Sequence, residues 1–190
     1  MAVDINTPDR GSPSRTALAR RVYHAAHLTG TFTLRSGAVS SEYFDKYRFE
    51  TDPVLLKDIA TALAELVPAQ VDGLAGLELG GVPIATVLSQ ITGIPAFFVR
   101  KQAKSYGTMR IAEGGDLDGR RLLIVEDVVT SGGAILDSAA PLRNAGALIG
   151  PVVCVIDRLA GGAEKLANEG LHLQALFTMT ELQAAHEATT

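Results

Sequence analysis

The sequence predicts an α/β protein in which a mostly parallel sheet is flanked by helices. From about residue 71 onward, short apolar runs typical of buried strands alternate with segments that have helical periodicity. Three of these runs are followed at once by a glycine-rich or charged turn, namely Glu78–Gly81, Arg100-Lys101 and Glu126–Ala134. Arg158 follows a fourth run. Because the carboxyl ends of parallel strands meet at one edge of a sheet, we expect these turns to converge on a ligand site.

Composition limits the class of protein. The chain has 190 residues, of which 47% are hydrophobic and 20% are charged, and this fits one globular domain with a sizeable core. The net charge of −4 argues against a nucleic-acid scaffold, which would carry a basic face. Cys154 is the single cysteine, so no disulfide can form within the chain, and its apolar neighbours predict burial. We find no signal peptide and no apolar span of membrane length, and therefore expect a soluble cytoplasmic protein without membrane or nucleic-acid partners.

Residue patterns predict the elements in chain order. Helices are assigned where apolar residues recur at helical spacing behind a capping residue such as Ser14 or Asp52, and strands where apolar runs end at glycine, proline or charged residues. Residues 1–13 have no periodicity and are expected to form a mobile tail ahead of a single domain, residues 14–190. The predicted helices are 14–28, 53–67, 84–91, 134–144, 163–168 and a final one capped by Thr178 and Glu181; the predicted strands are 31–37, 40–47, 71–77, 96–99, 122–125, 148–156 and 171–177.

Two stretches interrupt the alternation of strands and helices. Residues 31–50 contain the two strand-like pieces that precede the main unit, and they predict a small hairpin-based hood. Residues 102–119 are rich in Lys, Ser, Gly, Glu and Asp and have no apolar period. Loops of that length often act as lids, so we expect a flexible loop beside the ligand site.

The segment from Leu122 to Ala134 has the pattern of a phosphate site. Four aliphatic residues are followed by Glu126-Asp127, two valines, Thr130-Ser131, two glycines and a helix start. Loop N–H groups and the positive end of a helix dipole would face an anion there. The acidic pair would repel that anion, so it needs another role, either binding sugar hydroxyls or holding a Mg²⁺ that also contacts phosphate. The segment therefore predicts a ligand that carries both ribose and phosphate.

This segment resembles the phosphoribosyl diphosphate (PRPP) motif of the type I phosphoribosyltransferases. Two further segments are similar to the orotate enzymes of that family: Phe32-Thr33-Leu34-Arg35-Ser36-Gly37 to their base-binding segment, and Arg100-Lys101-x-x-Lys104-x-Tyr106-Gly107 to their catalytic loop. Asp157-Arg158 resembles the Asp-Arg that follows a strand in those enzymes. The resemblance covers nearly the whole chain after about residue 15, although Tyr106 stands where many members have His and Glu78-Leu79 where some have Tyr-Lys.

The resemblance implies transfer of a phosphoribosyl group from PRPP to orotate, with Mg²⁺ as cofactor and a homodimer whose loop is shared between subunits. The implied catalytic residues are Lys104, Asp127 and Glu126. The Mg²⁺ ion is expected to be held mainly by PRPP and water, with no direct protein ligand. PRPP would contact Arg100, Lys101, Lys104, Tyr106, Glu126, Asp127, Val128, Val129, Thr130, Ser131, Gly132, Gly133 and Ala134; orotate would contact Arg35, Tyr43, Phe44, Thr130 and Arg158.

Two other functions are compatible with a PRPP motif. One is a purine phosphoribosyltransferase, such as an adenine or xanthine enzyme. Purines lack a carboxylate, so the forked donors of Arg35 and Arg158 argue against this substrate class. The other is a regulator that senses PRPP and binds nucleic acid, and the acidic balance of the chain argues against it.

Overall fold

The computed structural model describes residues 13–33, 37–102 and 110–188. The predicted mobile tail therefore lies outside the described residues except for Pro13. Arg35 of the base-binding segment, and Lys104 and Tyr106 of the predicted flexible loop, also lie outside them. Within the described part of the chain, no helix is long and apolar enough to cross a membrane.

The core of the fold is a six-stranded sheet. Its strands are β3 (Gly73–Leu77), β4 (Ala96–Val99), β5 (Ala112–Glu113), β6 (Arg121–Val129), β7 (Leu148–Asp157) and β8 (His172–Thr178), and their order in the sheet is β5-β4-β3-β6-β7-β8. The pairs β3–β4, β3–β6, β6–β7 and β7–β8 are parallel, and within the described part of this sheet only the edge strand β5 runs antiparallel to its neighbour. This confirms the predicted α/β class with a mostly parallel sheet.

Helices cover both faces of the sheet. They are α1 (Arg15–Ala26), α2 (Tyr47–Thr51), α3 (Pro53–Ala64), α4 (Gly81–Thr92), α5 (Gly133–Asn144), α6 (Gly162–Ala167) and α7 (Met179–Glu187). Because alternate strand residues point to opposite sides, Leu123 and Val125 on β6 pack with the layer formed by α1, α2, α3, α4 and α7, whereas Leu122 and Ile124 pack with α5 and α6. Cys154 is fully buried in the second layer, as its apolar neighbours predict.

A separate antiparallel hairpin precedes the main unit, as predicted. It consists of β1 (His27–Thr33) and β2 (Val39–Phe44). The predicted first helix was too long, because the chain leaves α1 at Ala26 and His27 already pairs with Phe44 in the hairpin. The predicted second strand was also too long, since it ends at Phe44 and the chain then forms the short helix α2.

Two strands of the main sheet also differ from the prediction. β6 continues four residues past Val125, because its ladder with β7 extends to the pair Val129–Asp157. The acidic residues Glu126 and Asp127 therefore lie within the strand rather than in a loop after it. Part of the predicted loop is ordered as well, because Ala112 pairs with Val99 to form the edge strand β5.

Candidate active site

Three of the four strand ends that the sequence singled out meet at one cavity of about 190 Å³, whereas Arg158 is not part of its lining. The turn after β3 contributes Glu78, the end of β4 contributes Lys101, β6 contributes Glu126, and α5 contributes Ala134. Leu77, Asp137 and Ser138 complete the lining. Three predicted turns thus come together at the carboxyl edge of the sheet, where open α/β sheets bind their ligands.

The loop between β6 and α5 has the shape of a phosphate cradle. Thr130 and Ser131 are exposed, so their hydroxyls are free to face a ligand. Gly132 has φ +71°, a left-handed conformation that a side chain rarely adopts, and a Cβ there would lie 3.0 Å from Leu166. The chain then enters α5 at Gly133, so the first amides of this helix point out of the loop.

The two helices that start at this edge of the sheet differ from the other long helices in how their N-termini are capped. The N-cap residues of helices α1, α3 and α7 are Ser14, Asp52 and Thr178, and each of these side chains accepts a hydrogen bond from an amide of the first turn. The N-cap residues of helices α4 and α5 are Gly80 and Gly132, and glycine has no side chain that could accept such a bond. Two positive helix ends therefore leave their first amides open to an anion at the same edge of the sheet.

The turn before α4 is packed directly against the acidic residues. The peptide bond between Glu78 and Leu79 is cis. A Cβ on Gly80 would lie 1.7 Å from Asp127 Oδ2, and a Cβ on Gly81 would lie 2.2 Å from the carbonyl oxygen of Val125. Glycine at both positions allows the turn to approach β6 closely, so this turn and the acidic strand form one surface.

We expect Gly80→Ala to lower kcat/KM by about 10–100-fold, because the new methyl group must displace either the turn or the Asp127 carboxylate by an ångström or more. Steady-state kinetics on the purified variant would measure this loss. Gly150→Ala is the matched control, since a Cβ there meets nothing closer than 4.0 Å. Near-normal activity of the Gly80 variant would mean that the turn is not part of the site.

Asp127 is fully buried and is surrounded by charged groups. Its Oδ1 accepts a hydrogen bond from the N–H of Val128, and its Oδ2 lies 2.6 Å from Nζ of Lys46, the residue just before α2. Glu50 on α2 is 7% exposed. Its Oε1 also lies close to Gly80, since a Cβ built on Gly80 would be 2.8 Å from this oxygen. The carboxylate that the sequence assigns to ribose is thus held in place by the segment that follows the hairpin.

Burial changes the acidity of these groups. Burial, together with the interactions of both groups with the nearby Asp127, raises the pKa of Glu126 to about 9 and that of Glu50 to about 8. Burial alone would lower the pKa of Lys46, but its hydrogen bond to Asp127 and the charge of that carboxylate outweigh burial and raise the pKa. The cluster is therefore arranged to hold fewer negative charges than its three carboxyl groups would suggest.

The cationic side of the site follows β4. Arg100 Nε lies 3.4 Å from Glu113 Oε1 of the edge strand, and the Arg100 N–H donates to the carbonyl of Ile111. The backbone N–H of Lys101 donates to Glu78 Oε2 at 3.4 Å, which ties the end of β4 to the turn before α4. Arg100 and Lys101 thus stand where the chain enters residues 103–109, and Lys101 shares a cavity with Glu126.

The residues predicted to bind the base occupy different environments. Arg158 is exposed directly after β7, and its N–H donates to the carbonyl of Val129, so it lies beside the end of β6. Tyr43 is 44% exposed and stacks on Phe32 with 5.4 Å between ring centroids. Phe44 instead packs against the hydrophobic core and Tyr23. Tyr43 is therefore the member of this pair that remains open to a ligand.

Sequence reasoning missed Lys46 and Glu50. Lys46 falls near the end of the predicted strand 40–47 and Glu50 lies just after it, within the predicted hood, and neither residue belongs to the recognised motifs. Their four-residue spacing, which places two side chains on one face of a helix, was the available signal. Asp137 was also missed, although it lies one turn after Gly133 at the start of α5 and lines the cavity.

The described residues contain no group of three or more His, Cys, Asp or Glu side chains arranged to hold a metal ion. The donors at the cavity are carboxyl groups and exposed hydroxyls, which are oxygen ligands of the kind that Mg²⁺ accepts. Any such ion would need most of its oxygen ligands from a bound molecule or from water.

Comparison with known proteins agrees with this geometry. The family model "Phosphoribosyl transferase domain" matches residues 48–175. An orotate phosphoribosyltransferase of Nocardioides sp. is 53% identical over 171 residues, which is 90% of this chain and 96% of the relative. This chain belongs to the orotate phosphoribosyltransferase family. Another orotate phosphoribosyltransferase, from Methanocella arvoryzae, is 44% identical over 80% of this chain and 87% of its own.

Solved structures extend the comparison to three dimensions. The orotate phosphoribosyltransferase of Mycobacterium tuberculosis, crystallised with PRPP, has a TM-score of 0.77 and 30% identity and covers 90% of this chain and 99% of its own. An adenine phosphoribosyltransferase of Thermoanaerobacter pseudethanolicus has a TM-score of 0.65 at 19% identity, over 84% of this chain and 98% of its own. The second likeness shows the shared fold alone, whereas the first lies within the orotate phosphoribosyltransferase family.

Proposed function

We propose that this chain transfers the 5-phosphoribosyl group of PRPP to orotate, giving orotidine 5′-monophosphate and pyrophosphate in the biosynthesis of UMP. The observation that carries the proposal is the arrangement of β6 and α5, in which two acidic residues near the end of the strand are followed by a loop that leads into a helix without a side-chain cap. A sugar phosphate fits such an arrangement, since the acids bind hydroxyls and the amides bind phosphate.

The 5′-phosphate binds in the loop between β6 and α5. The N–H groups from Thr130 to Ala134 donate to its oxygens, the hydroxyls of Thr130 and Ser131 add two further donors, and the end of α5 supplies a positive potential. Val128 and Val129 belong to β6, and the N–H of Val128 already donates to Asp127 Oδ1. Glu126 and Asp127 accept hydrogen bonds from the ribose hydroxyls. The negative charge of Asp127 also stabilises the positive charge that develops on the ribose as its bond to the diphosphate breaks.

The diphosphate is held by cations and by the turn before α4. Arg100, Lys101 and Lys104 neutralise it, Tyr106 donates a hydrogen bond, and the amides at Gly80 and Gly81 complete the cradle. A Mg²⁺ ion, which we expect to be held mainly by PRPP and water, would add charge neutralisation at the departing group. We place Lys104 and Tyr106 on a loop that closes after PRPP binds, which excludes water and limits hydrolysis.

Orotate is a planar anion with a carboxylate. Arg35 and Arg158 offer forked donors that match this group, the ring of Tyr43 covers the base plane, and Thr130 lies at the junction between base and sugar. The exposed positions of Tyr43 and Arg158 support this assignment, since both side chains are open to a ligand. The reaction takes place in the cytoplasm.

We propose a homodimer in which the loop of one subunit completes the site of the other. Co-expression of a Lys104→Ala chain with an Asp127→Asn chain, carrying different tags, tests this arrangement. Each single variant is expected to be nearly inactive, while the hybrid dimer has one site with neither substitution. We expect the mixture to recover about a quarter of wild-type activity if subunits mix at random. No recovery in purified hybrid dimers would mean that each loop serves its own subunit.

A spectrophotometric assay with PRPP, Mg²⁺ and one of the bases orotate, uracil, adenine or xanthine tests the reaction itself. We expect turnover with orotate alone, because only orotate offers a carboxylate to the paired arginines. Turnover with a purine but not with orotate would replace this proposal by the purine reaction. Binding of PRPP without any turnover would instead favour a PRPP-sensing regulator.

A further inference from the structure

Two residues outside the recognised motifs reach the carboxyl group of Asp127. Lys46 and Glu50 are four residues apart at α2, so helix geometry places them on one face. Lys46 Nζ lies 2.6 Å from Asp127 Oδ2. A Cβ built on Gly80 would lie 1.7 Å from the same Asp127 oxygen and 2.8 Å from Glu50 Oε1. The carboxyl groups of Glu50 and Asp127 are therefore neighbours, pressed against one glycine.

This neighbourhood is almost dry. Asp127 is fully buried, Glu50 is 7% exposed, and no described residue donates a hydrogen bond to Glu50 Oε1. Two ionised carboxylates repel each other strongly at such a distance, and the single ammonium of Lys46 neutralises only one of them. One proton between the two groups removes the repulsion and gives the Glu50 oxygen a hydrogen-bonding partner.

The charges around Glu50 favour the protonated form. Asp127 on β6 and Asp45 just before α2 both disfavour a second negative charge, and Lys46 opposes them. Gly80 of the turn before α4 lies against both carboxyl groups and carries no charge. Glu126, next to Asp127 on β6, is also kept protonated, because burial and Asp127 raise its pKa to about 9. Burial, together with these neighbours, raises the pKa of Glu50 to about 8, which agrees with the geometry.

We propose that Glu50 is a positioning residue for Asp127: in the ligand-free site the two carboxyl groups share one proton beside the Lys46 ammonium, and this proton holds Asp127 in place for ribose. The inference rests on the ribose role proposed above for Asp127. When the pH rises, the proton passes to bulk water and leaves two adjacent carboxylates with one ammonium. The added negative charge pushes Asp127 from its position and repels the phosphates of PRPP, so PRPP binds more weakly.

The first test is the pH dependence of PRPP binding in wild type and in Glu50→Gln, at saturating Mg²⁺ and without orotate. The glutamine amide still donates a hydrogen bond to Asp127 but cannot ionise. We expect similar affinities near neutral pH. Above pH 8, wild-type affinity should fall by up to about tenfold per pH unit, and the fall should be much smaller in Glu50→Gln. Glu65→Gln, at an exposed position after α3, is the control and should follow wild type.

Two outcomes would overturn the proposal. One is a Glu50→Gln profile that matches wild type across the whole range; the other is a uniform loss of affinity at every pH, which would indicate a purely structural role. Lys46→Gln provides an independent check, because removal of the ammonium should raise the pKa of the carboxyl pair and move the fall in affinity to higher pH. A fall that begins at lower pH, or does not move, would contradict a proton shared by the pair.

The second test needs no ligand. The unfolded chain has an ionised Glu50 above about pH 4.5, whereas the folded chain keeps the proton up to about pH 8, so this group destabilises the fold as the pH rises between these values. We expect the midpoint of thermal unfolding of wild type to fall over that range relative to Glu50→Gln, by at least about 2–4 °C at its upper end for a chain of this length. Parallel curves would show that Glu50 holds no such proton. If PRPP fails to bind wild type, the proposed function fails, and this measurement still decides the proton.

Discussion

Asp127→Asn is expected to lower kcat/KM by about 10²–10³-fold while leaving the fold intact. Asparagine keeps the shape of the side chain and can still accept hydrogen bonds, but it removes the negative charge next to the ribose. That charge stabilises the transition state more than the bound substrate, because the ribose carries positive charge when the bond to the diphosphate breaks, in a site with little water. Steady-state kinetics with orotate and PRPP would measure the loss, and circular dichroism would check the fold.

Asp72→Asn is the matched control for this variant. Asp72 directly precedes β3, the strand that pairs with β6, and lies at the end of β6 opposite to Asp127. There it forms an exposed ion pair with Arg121 Nε at 3.0 Å. Exposed pairs contribute little to stability, so this control should keep both its activity and its fold. A kcat/KM close to wild type in Asp127→Asn would refute the ribose role of Asp127 and, with it, the reason for placing Lys46 and Glu50 around that carboxylate.

Lys104→Ala is expected to lower kcat by about 10²–10³-fold and to change KM for PRPP much less. The reason is that the negative charge on the diphosphate increases as it departs, so a cation that reaches it through loop closure interacts more strongly with the transition state than with bound PRPP. Separate determination of kcat and KM would measure this division. A rise in KM at unchanged kcat would mean that Lys104 binds PRPP uniformly and does not favour its departure.

Lys57→Ala is the control for Lys104→Ala, since Lys57 is an exposed lysine on α3 and lies outside the predicted site. Pyrophosphate inhibition adds a second readout. If Lys104 contacts the departing group, pyrophosphate should bind more weakly to Lys104→Ala than to wild type, and Lys57→Ala should show no such change. Equal inhibition of all three proteins would place Lys104 away from the diphosphate.

Much of the fold and part of the site follow from local patterns in the sequence. The β6 strand was recognisable because residues buried on both faces form a continuous aliphatic run, and the glycines after it signal a tight turn into a helix. The final helix was recognisable from its capping box, in which Thr178 and Glu181 exchange hydrogen bonds as predicted. Such signals lie within a few residues of one another and do not depend on distant contacts.

The boundaries and the buried charges did not follow from the sequence, because they depend on partners far away in the chain. Strand β6 continues through Asp127 because its pairing with β7 extends to the end of both strands. Helix α1 ends earlier than predicted because His27 pairs with Phe44 in the hairpin. Lys46 and Glu50 belong to the site because the fold places them next to Asp127, which lies some eighty residues later in the sequence. A sequence motif does not show which side chains from distant parts of the sequence will contact it in the folded protein.

The difference in capping between helices has a consequence for the life of the protein in the cell. Helices α1, α3 and α7 are capped by side chains of the protein itself. Helices α4 and α5 have no side-chain cap, so a bound anion from solution can accept hydrogen bonds from their first amides. Any molecule that binds the native form alone shifts the folding equilibrium by mass action. The abundance of this protein should therefore respond to the supply of its own substrate, so that starvation for phosphoribosyl groups would deplete the folded population as well as slow its turnover.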